Sequence, residues 1–160
     1  MATIRKAIEL DIPDLVEAGH RSWLYAFGPF VPFESIQHWA REDLFRGFIE
    51  TQWDSLTVTE VHGKACGFVQ VKGPYVAELF LHPDYHRRGL GTQLLDYAEK
   101  QIARKGHKFG MVDPLEGNTG AVAFYRTQGW KIVDRYDGVW GHRELTCLVM
   151  IKEMNRDRGA

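Results

Sequence analysis

The sequence is short of several things, and each shortage removes a class of answer. Among 160 residues there are only two cysteines, Cys66 and Cys147, far apart and each within an apolar stretch. No CxxC pair or Cys/His cluster exists to hold a metal or to staple a small secreted domain. No metal is expected, and the two thiols read as buried and reduced. Charge of either sign is not in excess: 20 Lys plus Arg stand against 21 Asp plus Glu, a net charge of −1. That balance lacks the basic surface of general nucleic-acid binders, so no nucleic-acid partner is expected. No long apolar run occurs, either in the opening "MATIRKAIELDIPDL" or later. Neither a signal peptide nor a membrane span is therefore expected, which points to a cytoplasmic protein without a membrane partner. Repeats, linkers and low-complexity tracts are absent too. What remains is an ordinary globular composition, 44% apolar and 26% charged, at a length that suits one domain over residues 1–160.

Hydrophobic periodicity gives the element order βα(α)βββαβαββ. "ATIRKAIE" reads as a first strand and "DIPDLVEAGHRSW" as a helix, with Asp11 as its cap and Pro13 in its first turn. The aromatic-rich segment from Leu24 to Trp53 is broken by Pro29 and Pro32 and carries one or two helices, including "ESIQHWAREDLFRGFIE". "SLTVTEVHGKACGFVQVKG" is two strands around a turn at Gly63, and "YVAELFLH" is a third strand, stopped by Pro83. After a helix to about Lys105, "HKFGMVD" is a strand and "NTGAVAFYRTQG" a short helix ending at Gly129. "WKIVDRYD" and "ELTCLVMIKE" are strands around a polar connection, "YDGVWGHRE", expected to rim the active cleft. Mixed alternation of this kind implies a sheet with helices packed on it.

The stretch "YHRRGLGTQLL", residues 85–95, carries the strongest chemical signal. Leu90, Leu94, Leu95, Ala98 and Ile102 share one helical face, so a helix starts near Gly89. Its first backbone N–H groups lack internal partners and the macrodipole adds positive potential. Gly89 and Gly91 let a guest approach that backbone, and Arg87 and Arg88 add charge. An anion, most simply a pyrophosphate, is the natural occupant. A strand-to-helix turn whose glycines serve only backbone geometry accounts for the same spacing. A P-loop fits worse because no Lys follows the glycines, and a dinucleotide fingerprint fits worse because Leu94 stands at its third glycine and "HPDYHRR" separates the glycines from the strand.

"LFLHPDYHRRGLGTQLLDYAE" resembles the acyl-CoA-binding motif of the GCN5-related N-acetyltransferases (GNAT), a strand, an Arg/Gln-x-x-Gly-x-Gly/Ala loop and a helix. "NTGAVAFYRTQGW" is similar to that family's second motif, with Asn118, Ala121, Phe124, Tyr125 and Gly129 in place. One departure is His86, which stands at the Arg/Gln position. The resemblance spans nearly the whole chain. It implies an α/β (α+β) fold: a central mixed, mostly antiparallel sheet of about seven strands flanked by about four helices. It also implies an N-acetyltransferase that moves acetyl from acetyl-CoA to a primary amine of a small molecule, peptide or protein by direct attack in a ternary complex. The chain would act as a monomer or homodimer. On this resemblance the cofactor contacts are Leu79, Phe80, Leu81, His86, Arg87, Arg88, Gly89, Leu90, Gly91, Thr92, Asn118, Ala121, Phe124 and Tyr125, with the pantetheine arm in a splay beside Leu79 and Leu81.

Such chemistry needs a neutral amine. A lysine-like amine of pKa about 10.4 is neutral in roughly 1 of 2,500 molecules at pH 7, about 4.6 kcal/mol of proton work. Glu78 is the leading base, on an apolar strand beside Val76, Phe80 and His82 if the strand is regular; it serves equally as an amine ligand or a surface residue. His82 and Asp113 are outsiders for the same task. Tyr125 is the candidate acid for the departing thiolate, against a core tyrosine. Trp23, Tyr25, Phe27 and Phe30, with Phe33 and Trp39, are expected to supply both core and an acceptor pocket. Two other classes compete. A non-catalytic acyl-CoA-binding module would lack the acid that Tyr125 provides, and a toxin-type enzyme acting on aminoacyl-tRNA would need a basic surface.

Overall fold

Apolar alternation and turn chemistry place the strands close to where the sequence expects them. In the computed structural model, residues 1–140 and 143–155 are described. The elements are β1 (Ala2–Lys6), α1 (Ile12–Phe27), α2 (Phe33–Glu42), α3 (Leu44–Gln52), β2 (Thr57–Val61), β3 (Lys64–Lys72), β4 (Tyr75–Leu81), α4 (Leu90–Arg104), β5 (Phe109–Val112), α5 (Thr119–Thr127), β6 (Lys131–Trp140) and β7 (Arg143–Glu153). They build one seven-stranded sheet in the order β1-β2-β3-β4-β5-β7-β6, antiparallel throughout except between β4 and β5. No helix among the described residues is long and apolar enough to cross a membrane.

Five α-helices flank the sheet rather than about four. The extra one arises at Asp43, whose φ of 45° is left-handed, so the helical pattern after Pro32 breaks into α2 and α3. Asp11 does not cap α1 as expected. Its buried carboxylate instead receives both the Arg5 guanidinium at 2.8 Å and the Ile8 N–H at 2.9 Å. The competing ion pair holds its pKa below the usual carboxylate range. The polar connection between the last strands is mostly strand itself, and residues 141 and 142 at its tip lie outside the described residues.

Both sheet faces are covered, and neighbouring β3 residues face opposite ways. Val69 joins a core made with Leu94, Leu95, Ala98 and Ile102 of α4 and Tyr125 of α5. Phe68 joins one made with Leu15 and Val16 of α1 and Ile49 of α3. The apolar stripe expected on α4, from Leu90 to Ile102, is buried. Both cysteines are buried and free, and burial pushes the Cys66 thiol up to about 11. Glu99 of α4 clamps the first core. Its carboxylate accepts from Trp130 Nε1 at 3.0 Å and from Lys152 Nζ at 2.9 Å. Glu99→Ala should lower the unfolding free energy by about 2–3 kcal/mol, because a buried indole N–H and an ammonium lose their acceptor together. Denaturant titration reads this, and Glu99→Gln should recover part of it through the indole bond.

Candidate active site

The parallel pair β4–β5 is joined at a single register position, Tyr75 beside Met111. Beyond it the two strands part, and β4 keeps only its β3 neighbour. His82 N–H donates to Cys66 O of β3 at 2.8 Å. Alternation along the strand therefore turns the main-chain groups of Leu79 and Leu81 away from β3 and into the splay. Leu81 O is already taken there, by Ser22 Oγ of α1 and by His86 Nε2 at 3.1 Å. What is left for an extended ligand is the N–H of Leu81 and both groups of Leu79.

A bulge in β4 corrects the expected face pattern. Gln70 pairs with Glu78 but Val71 pairs with Val76, so Ala77 is the extra residue. Val76 consequently joins the α4 core with Leu79, while Phe80 packs against the α1 and α3 core. Glu78 shares the face of Phe80 and His82, without Val76. It is partly buried opposite Gln70, whose amide turns away to Ser55 and Gln52. No hydrogen bond to its carboxylate occurs among the described residues, and burial pushes the Glu78 carboxyl up to about 7, against a lowering influence from the Lys72 cation.

Tyr125 enters the same region from the other face. Its ring belongs to the core that holds Val76 and Leu79 of β4 and Val112 of β5, the residues flanking the splay. Burial lifts its phenol far above the ordinary value, and the Glu78 charge lifts it further, which ties the two groups electrostatically. No hydrogen bond from its hydroxyl occurs among the described residues. A buried phenol ordinarily has such a partner. Core residue and reactive group are thus compatible descriptions of this side chain.

The loop after β4 leads into the N-terminus of α4. His82 Nδ1 accepts from Asp84 N–H at 3.1 Å and starts a 3-10 turn, so this histidine structures the loop. Arg87 and Gly89 are left-handed, with φ of 64° and 76°. The first helical bond of α4 runs from Gln93 N–H to Gly89 O, which leaves the N–H groups of Leu90, Gly91 and Thr92 ahead of the helix ladder. At Gly91 a Cβ would meet only Phe124, at 3.7 Å, an ordinary contact. The protein itself does not require glycine there. Arg88 lies over the Tyr85 ring at 5.2 Å. Asn118 caps α5 through a 3.2 Å bond from Ala121 N–H, and Gln128 ties α5 to Thr92.

The aromatic set does not form one pocket. Trp23 stacks on Trp39 with ring centroids 4.3 Å apart, and Phe27 lies beside it. Tyr25 turns to His86, edge-on at 5.0 Å, and Phe33 is exposed. Phe30 reaches Gly117 and walls a cleft of about 450 Å³ with Leu115, Glu116, Leu145 and Thr146. Two contributors escaped the sequence reading. Ser22 lies within a helix pattern that gives it no special mark. Tyr136 donates to Asp113 Oδ2 at 2.9 Å across 23 residues, a pairing that only sheet order creates.

Comparison with known proteins agrees with this architecture. The profile described as "Acetyltransferase (GNAT) family" matches residues 18–130. The peptidyl-lysine N-acetyltransferase YiaC of Escherichia coli is 30% identical over 138 residues, 82% of this chain and 84% of that one. The spermidine N(1)-acetyltransferase of Thermoplasma acidophilum is 26% identical over 144 residues, 82% of this chain and 89% of that one. The structure of the PaiA N-acetyltransferase from T. acidophilum, in complex with coenzyme A, superimposes with a TM-score of 0.78 at 22% identity, covering 96% of this chain and 99% of that one. The chain belongs to the acetyltransferase (GNAT) family and is an N-acetyltransferase.

Proposed function

We propose that the chain acetylates a primary alkylamine by direct attack, with both substrates bound at the β4–β5 splay. The observation that carries this is the placement of a partly buried carboxylate without a hydrogen-bond partner among the described residues, Glu78, and a buried phenol, Tyr125, on opposite faces of the same opening. Acetyl-CoA would lie along Leu79 and Leu81, with its pyrophosphate on the backbone N–H groups at the start of α4, flanked by Arg87 and Arg88. Asn118, Ala121 and Phe124 would line the α5 side. The amine would arrive on the α1 face, where Glu78, Asp113 and the Phe30 cleft offer acidic and apolar contacts. Its ammonium proton passes to Glu78, nitrogen bonds to the thioester carbon, the C–S bond breaks, the thiolate takes the Tyr125 proton, and the second nitrogen proton leaves to solvent as the amide forms. Solvent then resets both groups. Peptidyl-lysine and spermidine, the acceptors in the names of two relatives, are both primary alkylamines. Thiol release from acetyl-CoA across a panel of amines, polyamines and lysine peptides tests the assignment. Release no faster than the acceptor-free background would remove it.

Glu78→Gln checks the base. A carboxyl near 7 gives the wild type a rate that climbs up to about pH 7 and then levels. The Gln variant should be slower by roughly 10²-fold at and below that pH. It should keep climbing toward the amine pKa of about 10.4, so the gap narrows as pH rises. Stability moves the other way. The folded-state pKa lies above the unfolded one, so the native protein binds this proton more tightly and loses stability as pH rises from about 4.5 to 7. Removing the charge should therefore raise the melting temperature at pH 8 and leave it nearly unchanged at pH 4.5. The gain is at most about 3 kcal/mol. Identical pH–rate profiles would exclude Glu78 as the base.

A further inference from the structure

We infer that His86 is a positioning residue that locks the phosphate loop to the end of β4, and so sets the spacing between the two ends of the CoA site. The inference rests on the placement of CoA proposed above. At the position where the family motif has Arg or Gln, this chain's imidazole does not extend toward the loop backbone. Nε2 faces Leu81 O at 3.1 Å, and the backbone N–H of His86 donates to Pro83 O at 3.1 Å. The Nε2 and the backbone N–H are thereby engaged within the protein. With Nε2 as the donor, Leu81 O becomes a junction of three elements: β4 itself, α1 through Ser22 Oγ, and the loop through His86. The Tyr25 ring stands edge-on to the imidazole at 85°, which holds the ring plane so that Nε2 addresses that carbonyl.

The location gives this brace its consequence. On one side of the junction lie the free main-chain groups of Leu79 and Leu81. On the other lie the left-handed Arg87 and Gly89 and the open N–H groups of α4. A backbone held with positive φ at Arg87 is a conformation the surroundings must maintain. A ligand spanning both regions gains only if their separation is fixed beforehand, because ordering the loop on binding subtracts from affinity. A ligand that touches one region alone is indifferent to the brace.

Calorimetry with two probes tests this. CoA spans both regions, whereas adenosine 3′,5′-bisphosphate reaches the phosphate side only. His86→Phe keeps a ring against Tyr25 and removes the donor. His86→Gln keeps an N–H donor able to reach Leu81 O. His86→Phe should weaken CoA about tenfold and change adenosine 3′,5′-bisphosphate by less than twofold, and His86→Gln should restore CoA binding to within about threefold of wild type. Equal losses for both probes would mean direct phosphate contact or general loosening, and no loss for CoA would mean no brace. Either outcome overturns the inference. Gly91→Glu runs alongside as the check on placement. If it binds CoA like wild type, the ligand lies elsewhere. If it fails to bind while His86→Phe is silent, the brace alone is wrong.

Discussion

Gly91→Glu is expected to abolish acetyl-CoA binding while leaving the protein as stable as before or more so. The two effects have different origins and opposite signs. For the fold, glycine in a helix is about 1 kcal/mol worse than a good helix former, and the site has room: a Cβ would touch only the Phe124 ring, at 3.7 Å. A carboxylate in the first turn also complements the macrodipole, by about 0.3–1 kcal/mol. For the ligand, the same carboxylate occupies the space above the N–H groups of Leu90, Gly91 and Thr92 and opposes the pyrophosphate charge. Losing two charge-assisted hydrogen bonds at about 1.5–3 kcal/mol each corresponds to an affinity drop of roughly three orders of magnitude. Calorimetry and a thermal melt on the same preparation read both. A folded variant with wild-type affinity would sink the phosphate assignment, and a variant that melts earlier would contradict the view that the fold does not need this glycine.

That glycine shows what the sequence reveals and what it hides. Local, repeating features were legible. The stripe from Leu90 to Ile102 fixes the start and the buried face of α4, and with it the open N–H groups. The left-handed Gly63 turn fixes the β2–β3 hairpin. Features that depend on competition between distant groups were not. Asp11 is an acceptable cap in sequence, but Arg5 outbids the helix for it once β1 lies beside the first turn. Strict alternation puts Val76 with Glu78, and one extra residue at Ala77 reverses that, because a bulge has no signature among apolar neighbours. Six aromatics in one segment were expected to divide between core and an acceptor pocket, and the sequence does not say which goes where. Helix geometry sends Trp23 toward α2 and Tyr25 toward the loop after β4, while Phe30, in the turn after α1, reaches Gly117. The two acid–base candidates were visible because each stands out locally: a carboxylate inside an apolar strand, and a tyrosine in a recognisable helix motif. Their electrostatic connection through the splay was not, since only tertiary packing brings α5 beneath β4.

Tyr125→Phe should lower the rate of acetyl transfer by roughly 10²-fold, about 2.7 kcal/mol of barrier, with acetyl-CoA affinity changed far less. Folding should survive. The Phe ring keeps the contacts with Trp130 and Phe124, and the hydroxyl it removes has no hydrogen-bond partner among the described residues, so no buried group is orphaned. The phenol is a weak acid here: burial and the ionised Glu78 both hold its pKa above the ordinary 10, whereas a thiol titrates near 8.5. Outright transfer to a resting thiolate would be uphill. The coupling between the two groups removes part of that obstacle. When Glu78 accepts the amine proton its charge disappears, and with it one of the two influences that raise the phenol. Tyr125 therefore becomes a better donor at the moment negative charge grows on sulfur, and its hydrogen bond is worth most in the transition state. A further consequence follows for Glu78→Gln, where the phenol is permanently relieved: the combined Glu78→Gln/Tyr125→Phe protein should lose less than the product of the two single losses. The measurement is single-turnover transfer with the acceptor found in the amine panel, so that product release does not mask the chemical step. A Tyr125→Phe rate within about twofold of wild type would mean that solvent or another residue protonates the thiolate. Strictly multiplicative losses would mean that the two groups act without the coupling that the influence of the Glu78 charge on the phenol implies.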